Sequence, residues 1–200
     1  MIKFIDLNDG PPFMMFKDYF DSSLLMNQDS IDAISVASYC YDTKQVDSRF
    51  VNLKFVIKDK FIFFSNYKSP KGKQFAKHPN VAINIFWNKS NVQIRMNGNI
   101  KKTSCKFSDE YFYKRSTLKN ALSISSKQSH KIESYNQVIR DYEYYLQSPD
   151  IDLQKRPDYW GGYEFKPILF EFWEGHNSRA NKRDFFELKN DKWIHSVLQP

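Results

Sequence analysis

A dispersed set of polar side chains in this sequence has the types that grip a phosphorylated ligand. Arg49 and Lys54 stand close together in SRFVNLK, and Tyr111 and Arg115 stand four apart in EYFYKRS. Lys71, Gln93, Gln128, Ser129, Trp173, Arg179 and Arg183 join them, most within or at the ends of short apolar runs. Arg and Lys on a rigid scaffold donate charge-assisted hydrogen bonds to a phosphate, which carries roughly two negative charges. A glutamine offers both a donor and an acceptor. Tyr111 and Arg115, one helical turn apart, share a face and can close on one anion.

Other chemistries lack local support. The chain has no G-x-G-x-x-G, no Walker-type loop, no H-E-x-x-H and no G-x-S-x-G. His78, His130, His176 and His195 are scattered, and none is assigned a catalytic role. Cys40 and Cys105 stand far apart with no metal-ligand spacing, so neither a disulfide framework nor a metal site is expected, and a reducing compartment suits them. A net charge of +7 and a pI near 9.2 favour acidic partners. The best basic run, KSPKGKQFAK, reads as a solvated helix and loop, so no nucleic-acid partner is expected. The N-terminus lacks a continuous apolar segment and a cleavage site, and charges interrupt every apolar run, so no membrane is expected and the location is cytoplasmic.

The elements that must position these side chains are mostly strands. Phe13, Phe16, Phe20 and Leu24 recur at helical spacing after a double proline and predict a helix over 11–27. From Ala33 the period changes: AISVASYC, SRFVNLKFVI and KFIFFSN read as an antiparallel meander with a turn at Asp59 and Lys60. SPKGKQFAKHP predicts a short helix stopped by Pro79. NVAINIFW and NVQIRMNGNIKKT are two strands joined by NKSN. SDEYFYKRS and SHKIESYNQVIRDYEYYLQ read as surface helices with Ser108 and Ser129 as N-caps. GYEFKP, ILFEFWEG, RDFFELKN and DKWIHSVL then read as separate strands. Strands outnumber helices and do not alternate with them, so the expected class is mainly β with flanking helices, a small antiparallel barrel. The 200 residues hold no repeat or linker and are read as one domain, with 1–30 as an N-terminal helical arm.

RFVNLK, FIFFSNYKSPKG, VQIRMNG, EYFYKRS, SSKQS and EFWEG with R-x-x-x-R, in that order, resemble the pyridoxamine 5'-phosphate oxidase family from about Ala33 to Pro200. The resemblance implies an FMN-binding split β-barrel homodimer in which each site draws on both chains. It places flavin contacts on Arg49, Phe50, Val51, Asn52, Leu53 and Lys54, on Phe64, Ser65 and Lys71, and on Gln93, Gln128, Ser129, Trp173 and Arg183. It places the substrate phosphate on Lys54, Tyr111 and Arg115, and sets Arg179 over the pyridine ring as the catalytic positioning group. The implied reaction oxidises pyridoxamine or pyridoxine 5'-phosphate to pyridoxal 5'-phosphate by hydride transfer to flavin N5. Dioxygen then reoxidises the flavin and becomes hydrogen peroxide.

Four departures from the family pattern stand out. Pro70 replaces an arginine beside Lys71, with Lys68 nearby. Lys119 replaces a serine of the substrate phosphate site, and Asn181 replaces a histidine two residues after Arg179. The short N-terminus matches no substrate-covering arm. Lys119 and Asn181 favour, as alternatives, a same-fold oxidase of another reduced cyclic substrate, as in the related dihydrophenazine oxidases, or a non-catalytic B6 phosphate or flavin carrier.

Overall fold

Alternating burial along the strands builds one curved sheet. In a computed structural model describing residues 1–200, the chain forms β1 (Lys3–Ile5), α1 (Pro11–Leu25), β2 (Ala33–Cys40), β3 (Gln45–Ile57), β4 (Lys60–Asn66), α2 (Pro70–Lys77), β5 (Asn80–Trp87) and β6 (Val92–Lys102). There follow α3 (Cys105–Tyr113), α4 (Thr117–Ser125), α5 (Tyr135–Gln147), β7 (Trp160–Glu174), β8 (Lys182–Lys189) and β9 (Lys192–Val197). β3, β2, β5, β6, β7 and β4 pair in turn, each antiparallel to the next, and the β4–β3 ladder closes the ring. β1 pairs parallel to β3, and β8 and β9 extend the sheet from β7. No helix is long and apolar enough to cross a membrane.

Period-two burial explains the barrel interior. On β5, Val81, Ile83, Ile85 and Trp87 are buried while the residues between them are exposed, and Val92, Ile94 and Met96 answer them from β6. Phe61, Phe63, Phe165, Phe170 and Phe172 complete the interior from β4 and β7. α1 packs against this core through its phenylalanines: Phe16 meets Phe61 at 5.0 Å and Trp87 at 5.8 Å between ring centroids. Leu24, expected on the packed stripe, is exposed, and Ser23 is buried in its place with its hydroxyl 2.7 Å from that of Ser90.

Several expected boundaries are corrected. The β3–β4 turn is Lys58–Asp59, with Lys60 already paired to Ile57. GYEFKP and ILFEFWEG are one strand, β7. Pro167 lies opposite Gly98 at a register shift, where a residue without an N–H is tolerated. The third helix is capped by Ser104, whose Oγ accepts from Phe107 N, and Ser108 lies buried inside it. The last helix starts five residues later than expected and is capped by Ser134, while Ser129 sits in a left-handed turn with φ 67°. α4 was not anticipated.

Candidate functional site

A cavity of about 690 Å³ opens at the barrel rim between β3, the end of β4, the start of α2, α3 and the α4–α5 region. Ser69 caps α2, accepting from Gly72 N at 3.4 Å, and Pro70 takes the first helical turn, where a missing N–H costs nothing. That start aims Lys71 into the cavity. Gly161 on β7 lets α3 lie close, because a Cβ there would collide with the Tyr67 and Ser108 hydroxyls.

Of the residues singled out in the sequence, Arg49, Phe50, Val51, Asn52, Lys54, Phe64, Ser65, Lys71, Tyr111, Arg115, Gln128 and Ser129 line this one cavity. Leu53 belongs to the neighbouring core and is fully buried there. Lys119 lies on the exposed side of α4 and does not line the cavity. Gln93, Trp173 and Arg183 form a cross-strand row on β6, β7 and β8, away from it. Arg179 and Asn181 lie in the β7–β8 connection. Arg179 has φ 63°, a left-handed backbone uncommon outside glycine, and Asn181 Oδ1 accepts from His176 N at 3.0 Å.

The cations form two groups. At the α2 end, Arg49 donates to Ser38 Oγ at 2.5 Å, Gln74 Oε1 at 3.0 Å and Val36 O at 3.2 Å, all neutral acceptors, with Asp47 at 3.8 Å. Lys71 is only 7% exposed; burial and the neighbouring Arg49 push its ammonium down from 10.5 to about 8. A buried Lys71 beside a half-buried Arg49, with Asp47 at 3.8 Å as the near counter-charge, is a cradle for an anion. Between the groups, Gln128 Oε1 accepts from Ser65 Oγ at 3.2 Å and Asn66 N at 3.3 Å, tying the 128–129 turn to β4.

At the other end, Arg115 donates to Ser123 Oγ at 2.8 Å and Asn120 Oδ1 at 3.2 Å, and its guanidinium lies 4.7 Å from the centre of the Trp160 ring. Burial lowers the Arg115 pKa and raises that of Tyr111. Phe64 stacks on Tyr111 at 3.7 Å and 9°, and on Trp160 at 5.3 Å and 12°. Lys54 donates to Asp32 Oδ2 at 2.6 Å.

Three supporting side chains escaped the sequence reading. Asn120, with no exposed surface, donates to Phe112 O at 3.0 Å and Leu153 O at 2.9 Å, so it ties α3 and the 153 loop to Arg115. Gln74 steadies Arg49. Glu171, 4% exposed, accepts from Arg183 at 2.7 and 2.9 Å and from Arg95 at 2.6 Å. Leu118, Ala121 and Leu122 at helical spacing were the available signal for α4 and hence for Asn120.

The closed antiparallel barrel, the cation-lined rim cavity and the C-terminal sheet extension define a small β-barrel protein with a site suited to anions. Residues 39–146 match the family model described as pyridoxamine 5'-phosphate oxidase, and residues 160–200 match the pyridoxine 5'-phosphate oxidase C-terminal dimerisation region. The chain therefore belongs to the pyridoxamine 5'-phosphate oxidase family, and with it to the FMN-dependent oxidoreductases. A pyridoxine/pyridoxamine 5'-phosphate oxidase of Legionella pneumophila is 34% identical over 199 residues, covering 96% of this chain and 89% of the relative. One of Leptospira interrogans is 33% identical over 179 residues, covering 88% and 82%. Among solved structures, PhzG from Burkholderia lata in complex with tetrahydrophenazine-1-carboxylic acid superposes with TM-score 0.89 at 22% identity, covering 96% of this chain and 95% of that one. An FMN-binding, pyridoxamine 5'-phosphate oxidase-related protein of Nostoc punctiforme gives TM-score 0.76 at 14% identity, with 92% and 97% covered.

Proposed function

We propose that this chain is an FMN-dependent oxidase of pyridoxamine and pyridoxine 5'-phosphate, yielding pyridoxal 5'-phosphate. The observation that carries the reading is the presence in one cavity of two separate cation groups, Arg49 with Lys71 and Lys54 with Arg115, suited to two phosphates. The donor set fits FMN, since Lys71 is buried beside Arg49 and has no carboxylate within contact distance. FMN there supplies the hydride acceptor, with dioxygen as the final oxidant.

The chain's own residues bind, orient and exclude water. Arg49 and Lys71 hold the cofactor phosphate, while Gln128 and Ser129 border it. Tyr111, Arg115 and Lys54 hold the substrate phosphate against the Phe64–Tyr111–Trp160 stack. The row Gln93, Trp173 and Arg183, together with Arg179, belongs in this reading to the cavity of a second copy, so the working unit is a homodimer. The match of residues 160–200 to a dimerisation region supports that arrangement. Arg179 orients the substrate ring and steadies charge that develops at the reacting carbon.

The test is the visible spectrum of the protein reconstituted with FMN and kept anaerobic, before and after each B6 phosphate is added. Bleaching of bound flavin supports the reading. Bound flavin that stays oxidised with both turns the reading to another reduced cyclic substrate, which the Asp32–Lys54 ion pair favours. Failure to bind FMN removes the reading.

A further inference from the structure

Lys54 meets an incoming anion with a carboxylate already paired to it. Its ammonium donates to Asp32 Oδ2 at 2.6 Å, and both side chains are largely shielded from solvent. Asp32 is fixed in the stretch leading into β2: its carbonyl accepts from Leu53 N at 2.7 Å, one residue before Lys54, and Ala33 is in register with Asn52. The carboxylate thus sits across the β2–β3 pair from the lysine by construction. Its charge also reaches Tyr111, the stacked phenol of the same subsite. The N-terminal amine of Met1 is 3.8 Å from the same carboxylate oxygen and is exposed, too distant for a hydrogen bond.

The two ends of the cavity therefore differ in polarity. Lys71 has no carboxylate partner, whereas Lys54 carries one, and Arg115 is held only by neutral oxygens. A dianionic group entering the Lys54 end must displace Asp32 from the lysine or accept its repulsion at close range, and like charges in a partly desolvated site disfavour each other. A singly charged group can rest on Arg115 and Tyr111 and leave the Asp32–Lys54 pair intact.

We propose that Asp32 is a specificity-determining residue of the substrate subsite: it competes with the substrate's phosphate for Lys54 and so narrows the preference of that subsite for a phosphate dianion over a singly charged group such as a carboxylate. This rests on the reading of that subsite as the substrate end of a flavin oxidase cavity.

The experiment uses the FMN-saturated protein, so that the Arg49–Lys71 cradle is filled, and measures dissociation constants by calorimetry for inorganic phosphate, pyridoxal 5'-phosphate and a pyridine monocarboxylate. Asp32→Asn keeps the shape and removes the charge. It is expected to tighten both phosphate ligands about tenfold, the scale of one charge-assisted hydrogen bond, and to change the monocarboxylate by less than about threefold. In a Lys54→Met background the effect of Asp32→Asn is expected to vanish, because Asp32 acts through the lysine. The proposal is overturned if Asp32→Asn leaves phosphate affinity unchanged, if it tightens both ligand classes equally, or if its effect survives without Lys54. Absence of inorganic phosphate binding in both parent and Asp32→Asn also overturns it. Inorganic phosphate tightening on Asp32→Asn, with no flavin bleaching by either B6 phosphate, would uphold the role of Asp32 while removing the B6 oxidase reading.

Discussion

Raising pH should loosen the cofactor phosphate through one side chain. In the empty cavity Lys71 loses its proton near pH 8, well below its ordinary 10.5, because burial and Arg49 both disfavour its charge. A bound phosphate reverses that balance, so the complex keeps the ammonium charged to higher pH. About nine in ten Lys71 side chains are charged at pH 7 and about one in ten at pH 9, so FMN affinity should fall roughly tenfold over that interval, about 1.4 kcal/mol. The same depression acts on the free protein. Between about pH 8 and 10.5 the unfolded chain binds more protons than the folded one, so Lys71's contribution to stability without FMN improves as pH rises through that window. Quenching of FMN fluorescence on binding, followed from pH 6.5 to 9.5, reads the affinity for the parent, Lys71→Met and Lys71→Arg. The parent should show the decline. Lys71→Met should bind weakly at every pH, and Lys71→Arg, which stays charged, should lack the decline. A parent profile that matches Lys71→Met, or is flat to pH 9.5, refutes the placement of the phosphate on Lys71.

Arg49→Ala should weaken FMN retention on gel filtration, whereas Arg179→Ala should retain FMN and slow flavin reduction in anaerobic stopped flow; identical behaviour of both variants to the parent would sink the site assignment. Asn120→Ala removes three hydrogen bonds of a fully buried amide and should cost about 1–3 kcal/mol in urea unfolding, with weaker pyridoxal 5'-phosphate binding through a loosened Arg115. Phe16→Ala empties a fully buried position under α1 and should cost about 3–5 kcal/mol by the same unfolding measurement. Gly161→Ala, which drives a methyl into Tyr67 and Ser108, should cost about 1–3 kcal/mol.

The sequence shows its strands well where one face is buried and the other is wet. AISVASYC and NVAINIFW coincide with β2 and β5 because period-two burial and β-branched or aromatic content agree there, and KFIFFSN coincides with β4 as a continuous apolar run buried on both faces. Barrel closure was inferable only as a class, since the β4–β7 ladder joins segments far apart in the chain, with no local signal of their register. Pro167 misled because a proline ordinarily ends a strand, and the bulge at Gly98 that accommodates it depends on the partner strand. α4 was missed because it is short and Ser116 makes no capping bond; burial of Asn120 and Ala121 holds it instead. For the site, residue types pointed to anion binding, and twelve of the named positions share one cavity. Spacing could not reveal that Lys54 is paired to Asp32, since a lone acid before a strand has no local mark of its partner.

The length of β7 has a genetic consequence. Trp160 at the cavity wall and Trp173 in the cross-strand row stand at the two ends of one continuous strand, about 40 Å apart along it. Helices and loops can flex, but a strand laddered to a neighbour along its whole length fixes that span, so the cavity and the row cannot fold onto each other within one molecule. In the proposed homodimer, a copy defective at Arg49 and a copy defective at Arg183 each bring the half that the other lacks. Co-expressed, these two inactive alleles should form mixed dimers with one intact site and one doubly damaged site, restoring a fraction of the activity that neither allele has alone. Two alleles that both damage the Arg49 side should not rescue each other.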